Sequence, residues 1–183
     1  MSPASGTYEV GPKDASLRVR TTKAGMGAKL AHDLTLEAKA WSASVTFDAA
    51  DPTGSSVNLT LDPTSLEVIE FSGGIKPLSD GDRKEIAKNI NDKALQTKKY
   101  PEIVFRSTSI SGQGSSFHVI GDLTIIGTTR PTTLQANVAD GGQVTITGTV
   151  VQTEFGVKPY SAMLGTLKIN DAVELEAIFT LPG

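Results

Sequence analysis

Phe117-His118-Val119-Ile120-Gly121-Asp122-Leu123-Thr124-Ile125, then Gly127-Thr128-Thr129-Arg130-Pro131, then Leu134, Ala136 and Val138, is the stretch that decides the fold. Phe117, Val119, Leu123 and Ile125 fall on every second position, apart from the small Gly121, and that is the period of a strand with one face buried. Gly127 to Pro131 has turn chemistry, and the run after it alternates again. Two such runs joined by a turn read as antiparallel neighbours.

Working outward, the same period marks Leu17 and Val19; Val57, Leu59 and Leu61; Ile103 and Phe105; and Val144, Ile146, Gly148 and Val150. Leu167 and Ile169 lead on to Val173, Leu175, Ala177 and Phe179. Leu34, Leu36, Ala38 and Ala40 hold even positions, whereas Ala43, Val45 and Phe47 hold odd ones, a switch that a β-bulge near Trp41 would produce. Turns fall at Asp51-Pro52-Thr53-Gly54, Ser111-Gly112-Gln113-Gly114, Asp140-Gly141-Gly142 and Asn170-Asp171. About eight or nine strands at short intervals imply an antiparallel meander, closed as a barrel or folded as a sandwich. Glycines inside strands, at Gly121, Gly127 and Gly148, and a core of medium aliphatic rather than aromatic side chains favour the barrel.

One segment has a different period. Over residues 82–94, Ile86, Ala87, Ile90 and Ala94 share one helical arc, with Ser79 or Asp80 before it as an N-cap. The preceding Phe71-Ser72-Gly73-Gly74 reads as a mobile connection to a helix that covers a barrel mouth or packs on its wall.

Composition narrows the function. The chain has 183 residues, enough for one domain over 1–183 with a real core. Its 21 Thr, 13 Val and 12 Ile exclude an all-helical fold. A net charge of -3 argues against a basic nucleic-acid-binding footprint. The absence of cysteine removes disulfides, thiolate chemistry and Cys-ligated metals. Met1 to Val10 lacks the basic and apolar regions of a leader. The expected location is therefore the cytoplasm as the sequence stands, or the periplasm or exterior for a chain already trimmed of a leader.

No G-x-S-x-G, H-E-x-x-H, P-loop or complete G-x-G-x-x-G signature is present. Histidine is the commonest general acid-base group, and the chain has two. His118, between Phe117 and Val119, points away from their face and reads as a solvent-facing strand residue. His32-Asp33 can serve as a base, a metal ligand or a headgroup anchor. The plainer reading is a pair of side chains that tie loops together. Two histidines without cysteine make a metal site unexpected. Over residues 83–99, Arg83, Lys84, Lys88, Lys93, Lys98 and Lys99 outnumber Glu85 and Asp92. That is the pattern of a solvated helix face or of a transient contact with an anionic membrane.

Four stretches together resemble the YceI-like family, the polyisoprenoid-binding proteins of lipocalin-like fold. They are Asp62-Pro63-Thr64-Ser65-Leu66, residues 100–107 from Tyr100-Pro101 to Ser107, residues 121–131 from Gly121-Asp122 to Arg130-Pro131, and Phe155-Gly156-Val157-Lys158-Pro159-Tyr160. The resemblance implies an all-β fold, an extended antiparallel eight-stranded lipocalin-like barrel with one short helix near it. It also implies an apolar tunnel for an isoprenoid chain or isoprenoid quinone, bound without enzymatic chemistry and without another cofactor.

By alternation, the expected tunnel wall is Leu34, Leu36, Leu59, Leu61, Phe105, Leu123, Ile125, Leu167 and Ile169. The expected polar mouth is His32, Asp33, Lys158 and Tyr160. Two other readings stand beside the carrier: a closed barrel acting as a structural or stress-related interaction module, and a lipid-modifying enzyme using His32 and Asp33. Self-association into a homodimer is compatible with any of them.

Overall fold

The computed structural model describes residues 3–182. In chain order the elements are β1 (Gly6–Val10), β2 (Ser16–Thr21), β3 (Lys23–Ala24), β4 (His32–Ala38), β5 (Trp41–Phe47), β6 (Ser56–Leu61), β7 (Leu66–Gly73), α1 (Asp80–Asn89), β8 (Ile103–Gln113), β9 (Ser116–Ile125), β10 (Thr128–Val138), β11 (Gln143–Val151), β12 (Ser161–Ala162), β13 (Leu167–Ile169) and β14 (Ala172–Thr180).

Eleven of the strands form one antiparallel sheet, in the order β1-β5-β6-β8-β9-β10-β11-β14-β2-β4-β7. The eight expected staves are recovered because three of them are each broken in two. β1 and β2 are halves of one stave, since β1 pairs with β5 while β2 pairs with β4. β4 and β5 are halves of the next, and β6 and β7 of the third, for β5 pairs with β6 and β4 with β7. Eleven segments with three breaks make eight staves, and the β2–β14 and β6–β8 pairings close the ring. The terminal strands of the sheet, β1 and β7, are each paired on one side only, and α1 is fastened against β7.

The breaks are joined to each other. The Ser65 hydroxyl accepts from the Lys39 and Ala40 amides at 3.2 and 2.9 Å. The Asp62 amide donates to the Ala40 carbonyl at 3.0 Å. Asp62 itself caps the Pro63–Ser65 turn through Thr64 N at 2.9 Å, and Pro63 is fully buried. The parity switch before Trp41 therefore comes from the two-residue break at Lys39 and Ala40 and not from a bulge at Trp41. The irregular register lies between Thr35 and Leu36, opposite β7, where Ile69 is the extra residue.

Two further expectations are corrected. Phe71, Ser72 and Gly73 are not a connection but the end of β7, paired with Leu34, Asp33 and His32. The β9–β10 turn is only Ile126-Gly127, at φ +41° and +75°, and Pro131 lies inside β10. Two positive φ values at the centre of a two-residue loop match the right-handed twist of the strands it joins.

The helix starts at Asp80. Ser79 accepts from Asp82 N at 3.1 Å and Asp82 Oδ2 accepts from Ser79 N at 2.8 Å, a reciprocal cap of about 1 kcal/mol. Its last turn widens into a π turn, Ile90–Ala94. α1 is fastened to β7 by Arg83, which donates to the Val68 carbonyl at 2.6 Å and lies 5.4 Å from the centre of the Phe71 ring. The three short strands β12, β13 and β3 form a second sheet at the same end of the barrel. No helix is long and apolar enough to cross a membrane among the described residues.

Candidate functional site

Because the strands alternate in direction, every connection belongs to one of two ends. Residues 22–31, 74–102 and 152–171 lie at the end covered by α1, here called the mouth; residues 48–55, 114–115 and 139–142 lie at the base. The interior differs between them. Val10, Ala38, Trp41, Ala43, Val45, Leu61, Val144, Phe179 and Leu181 pack together towards the base. A second buried group, which includes Phe105, Val119, Leu123, Ile125, Val150, Val157 and Val173, surrounds an apolar cavity of about 240 Å³.

The cavity draws on all eight staves, and its mouth end is roofed by Ile90, Ala94 and Leu95 of the helical segment and by Gln152 and Val157. Two glycines give it width. A Cβ on Gly121 would stand 2.5 Å from the Phe105 ring, and one on Gly148 would stand 2.4 Å from Leu134 Cδ2. Without side chains there, Phe105 and Leu134 lie back against the wall.

Of the expected wall, Leu36, Leu59, Leu61, Phe105, Leu123 and Ile125 line the cavity. Leu34 does not line it, and pairs with Thr21, which does, and with Phe71. Leu167 and Ile169 are not wall residues, because β13 has left the barrel and pairs with β12 and β3. Their alternation runs on into that of β14, but Asn170 and Asp171 mark a change of sheet.

None of the four residues expected at a polar mouth lines the cavity. His32 Nε2 meets the Lys76 carbonyl at 2.8 Å, and its ring stands edge-on to Phe71 with centroids 5.6 Å apart. Asp33 accepts from the Lys23 amide at 2.7 Å and forms an ion pair with Lys23 Nζ at 3.5 Å. Both side chains tie loops together. Lys158 and Tyr160 are exposed on the rim. His118 is exposed on the outer wall, opposite Gln135.

The polar residues that line the cavity are Thr21, Thr132 and Gln152. The last two have partners: Thr132 Oγ1 donates to the Arg130 carbonyl at 3.4 Å, and Gln152 Nε2 donates to the Asn170 carbonyl at 3.0 Å. Thr21 Oγ1 is buried without a hydrogen-bond partner among the described residues. An unpaired buried hydroxyl costs about 1–3 kcal/mol and is a ready partner for a polar group on a guest. The signal was available, since Thr21 continues the inward parity of Leu17 and Val19. Residues 90–95 were harder to find, because nothing in the helix pattern says which mouth it roofs.

Comparison with known proteins gives a consistent picture. A family model described as the YceI-like domain matches residues 8–181. Protein YceI of Escherichia coli O157:H7 is 34% identical over 98 residues, 53% of this chain and 44% of that protein. A UPF0312 protein of Photorhabdus laumondii is 33% identical over 106 residues, 57% of this chain and 48% of that protein. The aligned part thus spans about half the length of these curated relatives. In structure, Burkholderia cenocepacia BcnA superposes with a TM-score of 0.68 at 20% identity, covering 90% of this chain and 94% of that one. A Campylobacter jejuni YCEI protein gives 0.54 at 17% identity, covering 81% and 84%. At these identities the structural likeness speaks to fold.

Proposed function

The chain belongs to the YceI-like family, and from that premise we propose that it binds an isoprenoid-type amphiphile, a polyprenyl chain or an isoprenoid quinone, and carries or sequesters it without chemical change. The cavity is the observation that supports this reading most directly. Its volume, about 240 Å³, is larger than the apolar cavity of about 150 Å³ that holds benzene and smaller than the roughly 300–1,000 Å³ of drug-sized pockets. A slot of that size suits a thin branched chain better than a broad ring system. One isoprene unit has five carbons, so its removal from water is worth roughly 4 kcal/mol at about 0.8 kcal/mol per carbon group. A longer guest would pass through the mouth beside α1.

Transfer from a bilayer gains almost nothing from the hydrophobic effect, so selection rests on slot width and on polar contacts. Thr21 is the polar contact we assign to the guest's oxygen-bearing end. The closed-barrel alternative has less support, since the upper barrel is hollow. The enzyme alternative has less still, since His32 and Asp33 are occupied with loops.

The test is organic extraction and mass spectrometry of protein from its native host, purified without detergent. An isoprenoid recovered near one per chain is the expected result, and repeatedly empty extracts would overturn the reading. Thr21→Val, which removes the unpaired hydroxyl, is expected to leave stability unchanged or slightly higher while lowering recovery of oxygen-headed guests several-fold.

A further inference from the structure

Six large apolar side chains are conspicuously exposed among the described residues: Met26, Leu30, Ile75, Tyr160, Met163 and Leu164. All six lie at the mouth, on residues 22–31, 74–79 and 152–171, and none at the base. Met26 is 94% exposed and Leu164 entirely so. The three segments touch one another. Gly27 N donates to the Thr166 carbonyl at 2.8 Å, β3 pairs with β13, and His32 holds the Lys76 carbonyl. The exposed residues therefore form one crown around the cavity's entrance instead of scattered surface apolar groups.

Charge follows the same division. Lys29, Lys76, Lys158 and Lys168 stand on the crown segments against Glu154 and Asp171, and none of these lysines is in an ion pair among the described residues. The base loops 48–55 and 139–142 carry Asp48, Asp51 and Asp140 and no Lys or Arg. The backbone adds a second oddity. Met163 and Leu164 hold φ of +51° and +54°, a region where bulky residues are uncommon, and there they present their side chains to solvent.

We propose that this crown is a docking surface for an anionic lipid bilayer, with Met26, Ile75, Met163 and Leu164 entering the headgroup boundary and the four lysines meeting lipid phosphates. A bilayer fits better than a protein partner because long, single apolar side chains are interleaved with lysine, a residue depleted in protein interfaces and favourable at anionic membranes. Docking by the crown sets the cavity entrance against the membrane. It also moves the membrane contact off the basic helical segment, where Arg83 is fastened to β7 and Lys88 is paired with Asp92 at 3.0 Å.

The experiment is flotation with vesicles of phosphatidylcholine alone and of phosphatidylcholine with about one third phosphatidylglycerol. Neither contains an isoprenoid, so its outcome is separate from that of the extraction. The protein is expected to float with the anionic vesicles, less so at high salt, and not with the neutral ones. Leu164→Asn is expected to lower partitioning about tenfold, and Met26→Asn with it further. Asn tolerates positive φ, so Leu164→Asn should not lower the thermal midpoint, which separates docking from folding. Three results would overturn the proposal. They are absence of flotation by the unmodified protein, undiminished flotation of the Asn pair with loss in Lys84→Glu/Lys93→Glu/Lys98→Glu, and a dimer in size-exclusion chromatography that the Asn pair abolishes while no vesicle is bound.

Discussion

The two halves of this barrel are built from the same kind of strand and put it to opposite ends. Towards the base, only Leu61 among nine mutually packed buried residues touches the cavity, whereas seven of the ten in the upper group line it. Large side chains occur in both halves, with Phe105, Phe117 and Phe155 in the upper group, so the difference lies in how they are placed. Trp41 and Phe179 fill the lower bore, while Gly121 and Gly148 clear the upper one. Close packing lies at one end, and an apolar space at the other.

Truncation is the strongest way to break that division. Phe179→Ala opens a hole in the packed half and is expected to cost about 3–5 kcal/mol, whereas Leu59→Ala enlarges a space that already exists and should fall at the low end, about 2 kcal/mol. Denaturant midpoints of both variants measure the contrast, and equal losses would erase it. Enlargement should reverse in sign between the halves. Ala43→Leu overpacks the base, at about 1–3 kcal/mol, while Ala177→Leu fills the cavity and is expected to stabilise the empty protein by about 0.5–1 kcal/mol and to exclude the guest. Thermal melts together with extraction read both effects.

The smallest expected effect lies on the outer wall near the breaks. A hydrogen bond from Lys39 holds the Glu37 carboxyl below the usual range, opposed by burial and aided by Arg18. A depressed carboxyl adds stability above its unfolded value, about pH 4.3, and this is lost as pH falls through the lower folded value. The group is close to solvent, so Glu37→Gln should cost at most about 0.5 kcal/mol near neutrality and nothing in acid. Midpoints at both pH values check the sign.

Legibility followed periodicity. β9 and β11 were readable because Val119, Leu123 and Ile125, and Ile146 and Val150, keep strict parity and face the interior. β7 escaped because the extra Ile69 puts Val68 and Phe71 out of step, so a paired strand resembled a loop. Leu167 and Ile169 misled because alternation reports a buried face without saying which sheet supplies the cover. Most of the cavity's strand wall was therefore legible. Its roof was not, since contact between residues 90–95 and the bore is a matter of tertiary placement. His32 and Asp33 drew notice as chemistry-bearing neighbours, but their spacing could not reveal that Lys76 and Lys23 had already engaged them.

Gly121 and Gly148 leave one consequence for anyone mapping this interior. The calibre of the bore depends on atoms those two positions lack, and a scan that trims residues to alanine cannot trim them. If the proposed guest is selected by that calibre, such a survey would miss it, and only additions, a methyl at a time, would expose it.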